Sequence, residues 1–266
     1  MTTQSVPILM YHAVDESAPR PLRRLSVATS SFARQLEYLA AHGFTGMTFS
    51  DFAEAAVMRR ELPDRPVVLT FDDGYADFVD NALPILAEYN FPATVFVTTG
   101  WIADAGPAAA GKPLGKMLTW AQVRELADAG IEIGAHSHSH PQLDQCVDAQ
   151  LRAELVVARE KIEDHSGHRV RSVAYPYGYS TRRVRRAVRE AGYDCAASVA
   201  NTHATVSGDP FDLPRLTVRR NTSAADFSSV ASGQDSECYR RDRLLTAGWA
   251  AVRAVRRAGR RIPANA

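Results

Sequence analysis

Between residues 5 and 222 the sequence alternates short apolar runs with helical patterns, and that alternation leaves little choice of fold. Ile8–Tyr11, Val67–Phe71 and Ala93–Thr98 are compact apolar stretches of the kind that form strands covered on both faces. Ile131–Gly134, Val170–Tyr175, Asp194–Val199 and Leu213–Val218 are further strand candidates. Helical patterns run over Ser31–Ala41, Ala76–Tyr89, Trp120–Ala129, Asp148–Asp164 and Thr181–Ala191. Thr119 suits a helix N-cap, and Gly43, Gly130 and Gly192 suit helix ends. Pro84 has to break or kink the helix that contains it, because it lacks the N–H the helix needs. Strand followed by helix at this spacing builds βα units around a parallel sheet. The expected fold is α/β, a distorted (β/α) barrel, closed or nearly closed. The expected catalytic domain covers residues 1–235. The Ala- and Gly-rich segment 103–116 reads as a loop that could lie over a site.

The last thirty residues differ. Residues 239–261 carry eight arginines against one aspartate, although the whole chain has a formal net charge of only +1. Residues 236–266 therefore read as a basic, helical tail on an acidic body, with Leu245, Trp249, Val252 and Val255 along one side. The tail could pack on that body or make peripheral contact with an anionic membrane. The overall balance argues against a nucleic-acid binder, which needs a strong positive excess. Cys146, Cys195 and Cys238 are too scattered for a disulfide framework or a zinc finger. No signal peptide and no apolar run of membrane-spanning length are recognisable, so the expected location is cytoplasmic, at most peripheral to the inner membrane face.

Three polar clusters follow candidate strands, where parallel α/β folds carry their chemistry. The first is Thr70-Phe71-Asp72-Asp73-Gly74. Adjacent aspartates on an extended backbone point to different sides, so one can face a metal while the other faces a water. A plain turn is the bland alternative. The second is His136-Ser137-His138-Ser139-His140, three imidazoles in five residues. Neutral imidazole is a frequent ligand of zinc and similar ions. A helical turn would bring His136 and His140 together, whereas an extended chain would align all three. One aspartate with two histidines makes a three-ligand set with open positions, the pattern of a catalytic metal. A divalent ion there lowers the pKa of water toward about 7 and polarises a carbonyl, and the spare aspartate can serve as general base. The third cluster, Ala174-Tyr175-Pro176-Tyr177-Gly178-Tyr179, is a tight aromatic loop that could stack on a sugar and offer backbone N–H groups to an oxyanion.

These residues resemble the polysaccharide deacetylase family, also called the NodB-homology or carbohydrate esterase family four group. The likeness rests on LTFDDGY (Leu69–Tyr75), then HSHSH in the family's H-S/T-x-x-H pattern, with FPATVFVTTGWI (Phe91–Ile102) and LTW (Leu118–Trp120) between them, and covers about residues 5–222. It implies a distorted (β/α) barrel that removes acetyl groups with a divalent metal. It implies Asp73, His136 and His140 as metal ligands, Asp72 as general base and the Tyr177 N–H as oxyanion donor. His138 is then a bystander. Zinc suits this donor set, as do cobalt, nickel and iron.

Two departures stand out. Many members have an arginine where this chain has Ala174, and many have a late L-x-H motif, whereas here no histidine follows His203. The segment PILMYHAV (Pro7–Val14) resembles the poly-N-acetylglucosamine deacetylase-like subgroup, in which an N-terminal MYH supplies the acid histidine. His12 is therefore the expected general acid, and Arg215 of Leu213-Pro214-Arg215 the expected partner that holds Asp72 ionised. Tyr175, Tyr177 and Tyr179 are the expected substrate contacts. The expected activity is metal-dependent removal of N-acetyl groups from an acetylated amino-sugar glycan or glycoconjugate. An O-acetyl esterase, a small-amide hydrolase or a non-catalytic carbohydrate-binding barrel are the alternatives.

Overall fold

The computed structural model describes residues 4–260. Eight strands form one sheet, all pairings parallel: β1 (Ile8–Tyr11), β2 (Thr45–Met47), β3 (Pro66–Phe71), β4 (Thr94–Val97), β5 (Glu132–Ala135), β6 (Ser172–Ala174), β7 (Cys195–Val199) and β8 (Leu213–Thr217). Seven of them close into a ring in the order β1-β8-β7-β6-β5-β4-β3, with β3 returning to β1. The short β2 stays outside the ring. It pairs with the first half of β3, and β4 pairs with the second half.

β3 shows why the apolar runs lack alternation: all six of its residues are buried, one face in the barrel interior and the other under the helices. Those helices are α1 (Thr29–Ala41), α2 (Phe49–Met58), α3 (Leu83–Glu88), α4 (Trp120–Asp128), α5 (Asp148–Ser166), α6 (Arg182–Glu190) and α7 (Ala224–Ala231). Thr119 caps α4 in a full capping box with Gln122. Pro84 does break its helix. A π-helical turn over Phe78–Ala82 precedes α3, and the proline sits in the first turn of α3, where its missing N–H costs nothing. No described helix connects β7 to β8, so this connection departs from the strand–helix alternation of the rest.

A last helix, α8 (Glu237–Arg260), follows. It packs on the body rather than standing free. Tyr239 is buried and its hydroxyl donates to the Thr217 carbonyl. Asp242 pairs with Arg219, and Arg253 is buried against Asp144. Leu245 and Val252 are largely exposed, while Trp249 and Val255, expected on the same side, lie outside the residues whose side chains are described. Among the described residues no helix is long and apolar enough to cross a membrane.

Candidate hydrolytic site

Strand register alone assembles the three clusters. Tyr11 pairs with Phe71, and the Asp72 N–H donates to the Tyr11 carbonyl at 3.0 Å, so His12 leaves the barrel beside Asp72. Ala135 lies between Val97 and Val173 at the end of β5, which brings His136 to the same mouth. Val199 pairs with Arg215, and Thr217 with Met10, so barrel closure sets the last strand next to the first. His12, Asp72, Asp73, His136, His140 and Tyr177 line one cavity of about 380 Å³ at the carboxyl ends of the strands.

Asp73, His136 and His140 form a compact donor set. Asp73 Oδ1 lies 3.5 Å from His136 Nε2 and 3.4 Å from His140 Nε2, and the three ligand atoms fall within 4.8 Å of one another. That oxygen is buried with no hydrogen-bond partner. Such a group normally costs stability unless something binds it. His136 Nδ1 donates to the Ala174 carbonyl at 2.8 Å, which turns the Nε2 lone pair toward Asp73. Burial pushes His140 down to about 3 and lowers His136 as well, so both rings are neutral. Burial, with Asp72 alongside, pushes the Asp73 carboxyl up to about 7. Two neutral imidazoles aimed at one unpartnered carboxylate oxygen fit a divalent cation, which would favour the ionised form of Asp73. Asp73, Ser137, His140 and Tyr177 all have positive φ, at 76°, 63°, 60° and 62°. Left-handed backbone at non-glycine residues tends to cluster where function needs a fixed geometry.

The chain turns sharply after His136, so His136 and His140 converge and His138 points away. Its Nδ1 lies 2.9 Å from the Thr99 hydroxyl. Glu154 of α5 holds this turn from outside, accepting from the N–H groups of His138 and Ser139 at 2.9 and 2.7 Å and from the Ser139 hydroxyl.

Asp72 faces the other way, onto Arg215. The guanidinium donates to both carboxylate oxygens at 2.6 and 2.7 Å, to the Ser198 carbonyl and to the Thr70 hydroxyl. Arg215 is fully buried. Burial alone would raise the Asp72 carboxyl, but the Arg215 guanidinium beside it outweighs burial and holds it at about 2. His12 is pushed down to about 4 by burial, against the pull of Asp72.

The aromatic loop divides its tyrosines. Tyr177 is 53% exposed, 4.8 Å from the His140 ring and loosely stacked on Tyr179 at 6.1 Å. Gly178, at φ +74°, is packed so close to Val199 that a Cβ would approach it to 2.4 Å, and this contact fixes the turn. Tyr175, expected to contact substrate, is instead fully buried, and its hydroxyl donates to the Phe211 carbonyl at 2.8 Å. It ends β6 facing the core, so it holds the loop and does not reach the cavity. Sequence reading missed Trp101, which stacks on His140 at 4.7 Å, and missed Asp242, Leu245 and Thr246 of α8, which line the cavity.

Residues 59–196 match the family model for polysaccharide deacetylase. The poly-beta-1,6-N-acetyl-D-glucosamine N-deacetylase of Escherichia coli (strain K12) is 27% identical over 259 residues, covering 84% of this chain but 38% of its own length. The Streptococcus pyogenes deacetylase PplD, solved in complex with acetate, superposes with a TM-score of 0.77 at 24% identity, over 88% of this chain and 100% of the other. IcaB from Ammonifex degensii superposes with a TM-score of 0.70 at 22% identity, over 86% of this chain and 96% of the other.

Proposed function

This chain belongs to the polysaccharide deacetylase family of hydrolases acting on carbon–nitrogen bonds, and from that premise we propose that it removes N-acetyl groups from an amino-sugar glycan or glycoconjugate. One observation carries the reading: an ionised, arginine-held aspartate and an Asp-His-His donor set share one cavity at the barrel mouth. Asp73, His136 and His140 would hold a divalent ion, zinc by its donor preference. When bound, that ion supplies Lewis acidity at the acetyl carbonyl and lowers the pKa of water.

The chain's own residues supply the rest. Asp72, kept ionised by Arg215, accepts a proton from the attacking water as the C–O bond forms. The Tyr177 N–H, at the tip of the Pro176–Gly178 turn, donates to the developing oxyanion. His12 protonates the departing nitrogen as the C–N bond breaks, releasing acetate and the amine. Because burial lowers its pKa, His12 is neutral at rest; it takes up the proton that Asp72 removed from the water and passes it to the nitrogen, so Asp72 and His12 both end the turnover as they began it. Tyr177 and Tyr179 offer ring faces to the sugar.

The test is acetate release from N-acetylglucosamine oligomers after chelation and after zinc or cobalt add-back. Release that chelation abolishes and metal restores is the expected result. Release that chelation leaves untouched would reject the metal role, and silence on every N-acetyl sugar with O-acetyl esters cleaved would reject the amide specificity.

A further inference from the structure

The cavity has a wall that the barrel does not supply. Asp242, Leu245 and Thr246 of α8 line it together with the Asp-His-His set. The helix is pinned at both sides of the mouth. On the β8 side Tyr239 donates to the Thr217 carbonyl and Asp242 pairs with Arg219. On the far side Arg253, 6% exposed, pairs with Asp144 beyond β5 at 3.3 Å and lies over the Tyr179 ring beyond β6. From Asp242 to Arg253 a helix advances about 16 Å, so α8 bridges the mouth from one rim toward the other. A cavity of about 380 Å³ lies near the low end of the roughly 300–1,000 Å³ of small-ligand sites. An open glycan-binding cleft would instead continue past the metal ligands on both sides.

We propose that α8 is a specificity wall that limits the site to a short acetylated saccharide and excludes a long glycan. Arg253 is its positioning residue, acting through Tyr179 and Asp144, and Leu245 its contact with substrate. The inference rests on the deacetylase reading above and names the substrate class of that same site.

The test compares kcat/KM for acetate release from β-1,6-linked N-acetylglucosamine oligomers of two and five residues, with an aryl acetate as a small probe of the chemistry. The full-length, metal-loaded protein is expected to favour the dimer over the pentamer by about tenfold or more. Arg253→Ala, which unpins the far end, and Leu245→Ala, which trims the wall at a largely exposed position, are each expected to narrow that ratio to about threefold or less, and Arg253→Lys to keep part of it. Equal use of both lengths by the parent, or an unchanged ratio in both alanine variants, would overturn the wall and leave the deacetylase reading standing. Cleavage of the aryl acetate with no oligomer cleaved would overturn both, as would silence on every acetyl compound.

Discussion

At the scale of single residues the site is divided between two adjacent aspartates with opposite environments. Asp72 meets a guanidinium and Asp73 meets two neutral imidazoles, because consecutive side chains leave the end of β3 on different sides. Asp72→Asn keeps the shape and removes the carboxylate proposed as the base. It is expected to lower kcat about 10²- to 10⁴-fold while zinc binding, followed by calorimetry, stays near the parent's. Arg215→Lys keeps the charge and loses the fork, so a smaller fall of about 10- to 100-fold is expected. If Arg215 acts through Asp72, the double variant should be little worse than Asp72→Asn alone. Additive losses would mean that Arg215 has a separate role. The sequence pattern reached Asp72, Asp73 and the two histidines because each follows a recognisable strand. It could not choose among the three histidines, since the choice is made by positive φ at Ser137 and His140 and by the Glu154 brace, 14 residues beyond His140. Tyr175 departs from its expected role for a similar reason. Its identity suits a sugar platform, and only the direction it leaves β6 sends it to the core.

At the scale of elements, legibility followed punctuation. α4 is bracketed by Thr119 and Gly130, and both ends were readable. α2 carries a comparable signal in Thr48, whose hydroxyl accepts from Asp51, but it follows a three-residue strand too short and too exposed to stand out. The basic tail was readable as a helix, but its burial of Arg253 depends on Asp144, 109 residues away. The capping box gives a clean check on the outer layer. Thr119→Ala removes a cap bond worth about 1 kcal/mol, so for a domain of this size the melting temperature should fall by about 2–4 °C, with acetate release unchanged. A far larger drop in a thermal scan would mean that α4 carries more of the fold than its capping bonds imply. Gly178→Ala should do the reverse. The Cβ would collide with Val199 in a turn already at positive φ, shifting Tyr177 and lowering kcat/KM with little loss of barrel secondary structure by circular dichroism.

At the scale of the whole molecule, the site and the closure of the barrel are one event. β1 is the keystone, paired on one side with β3 and on the other with β8, more than 200 residues along the chain. His12, the two aspartates and Arg215 therefore meet only when the ring is complete, and an unfolded chain offers an ion no such donor set. An ion that binds only the folded state stabilises it by mass action, about 2.7 kcal/mol at a hundredfold excess over Kd. That translates into a rise in melting temperature of about 5–10 °C when zinc is added to chelated protein. Asp73→Asn should abolish most of this rise. The metal-free variant should be no less stable than the metal-free parent, since the parent buries a carboxyl beside Asp72 with one oxygen unpartnered and the amide removes that charge. A full zinc-induced rise in Asp73→Asn would mean that the ion is held elsewhere. A metal-free variant that melts well below the parent would mean that Asp73 serves the fold as well as the ion.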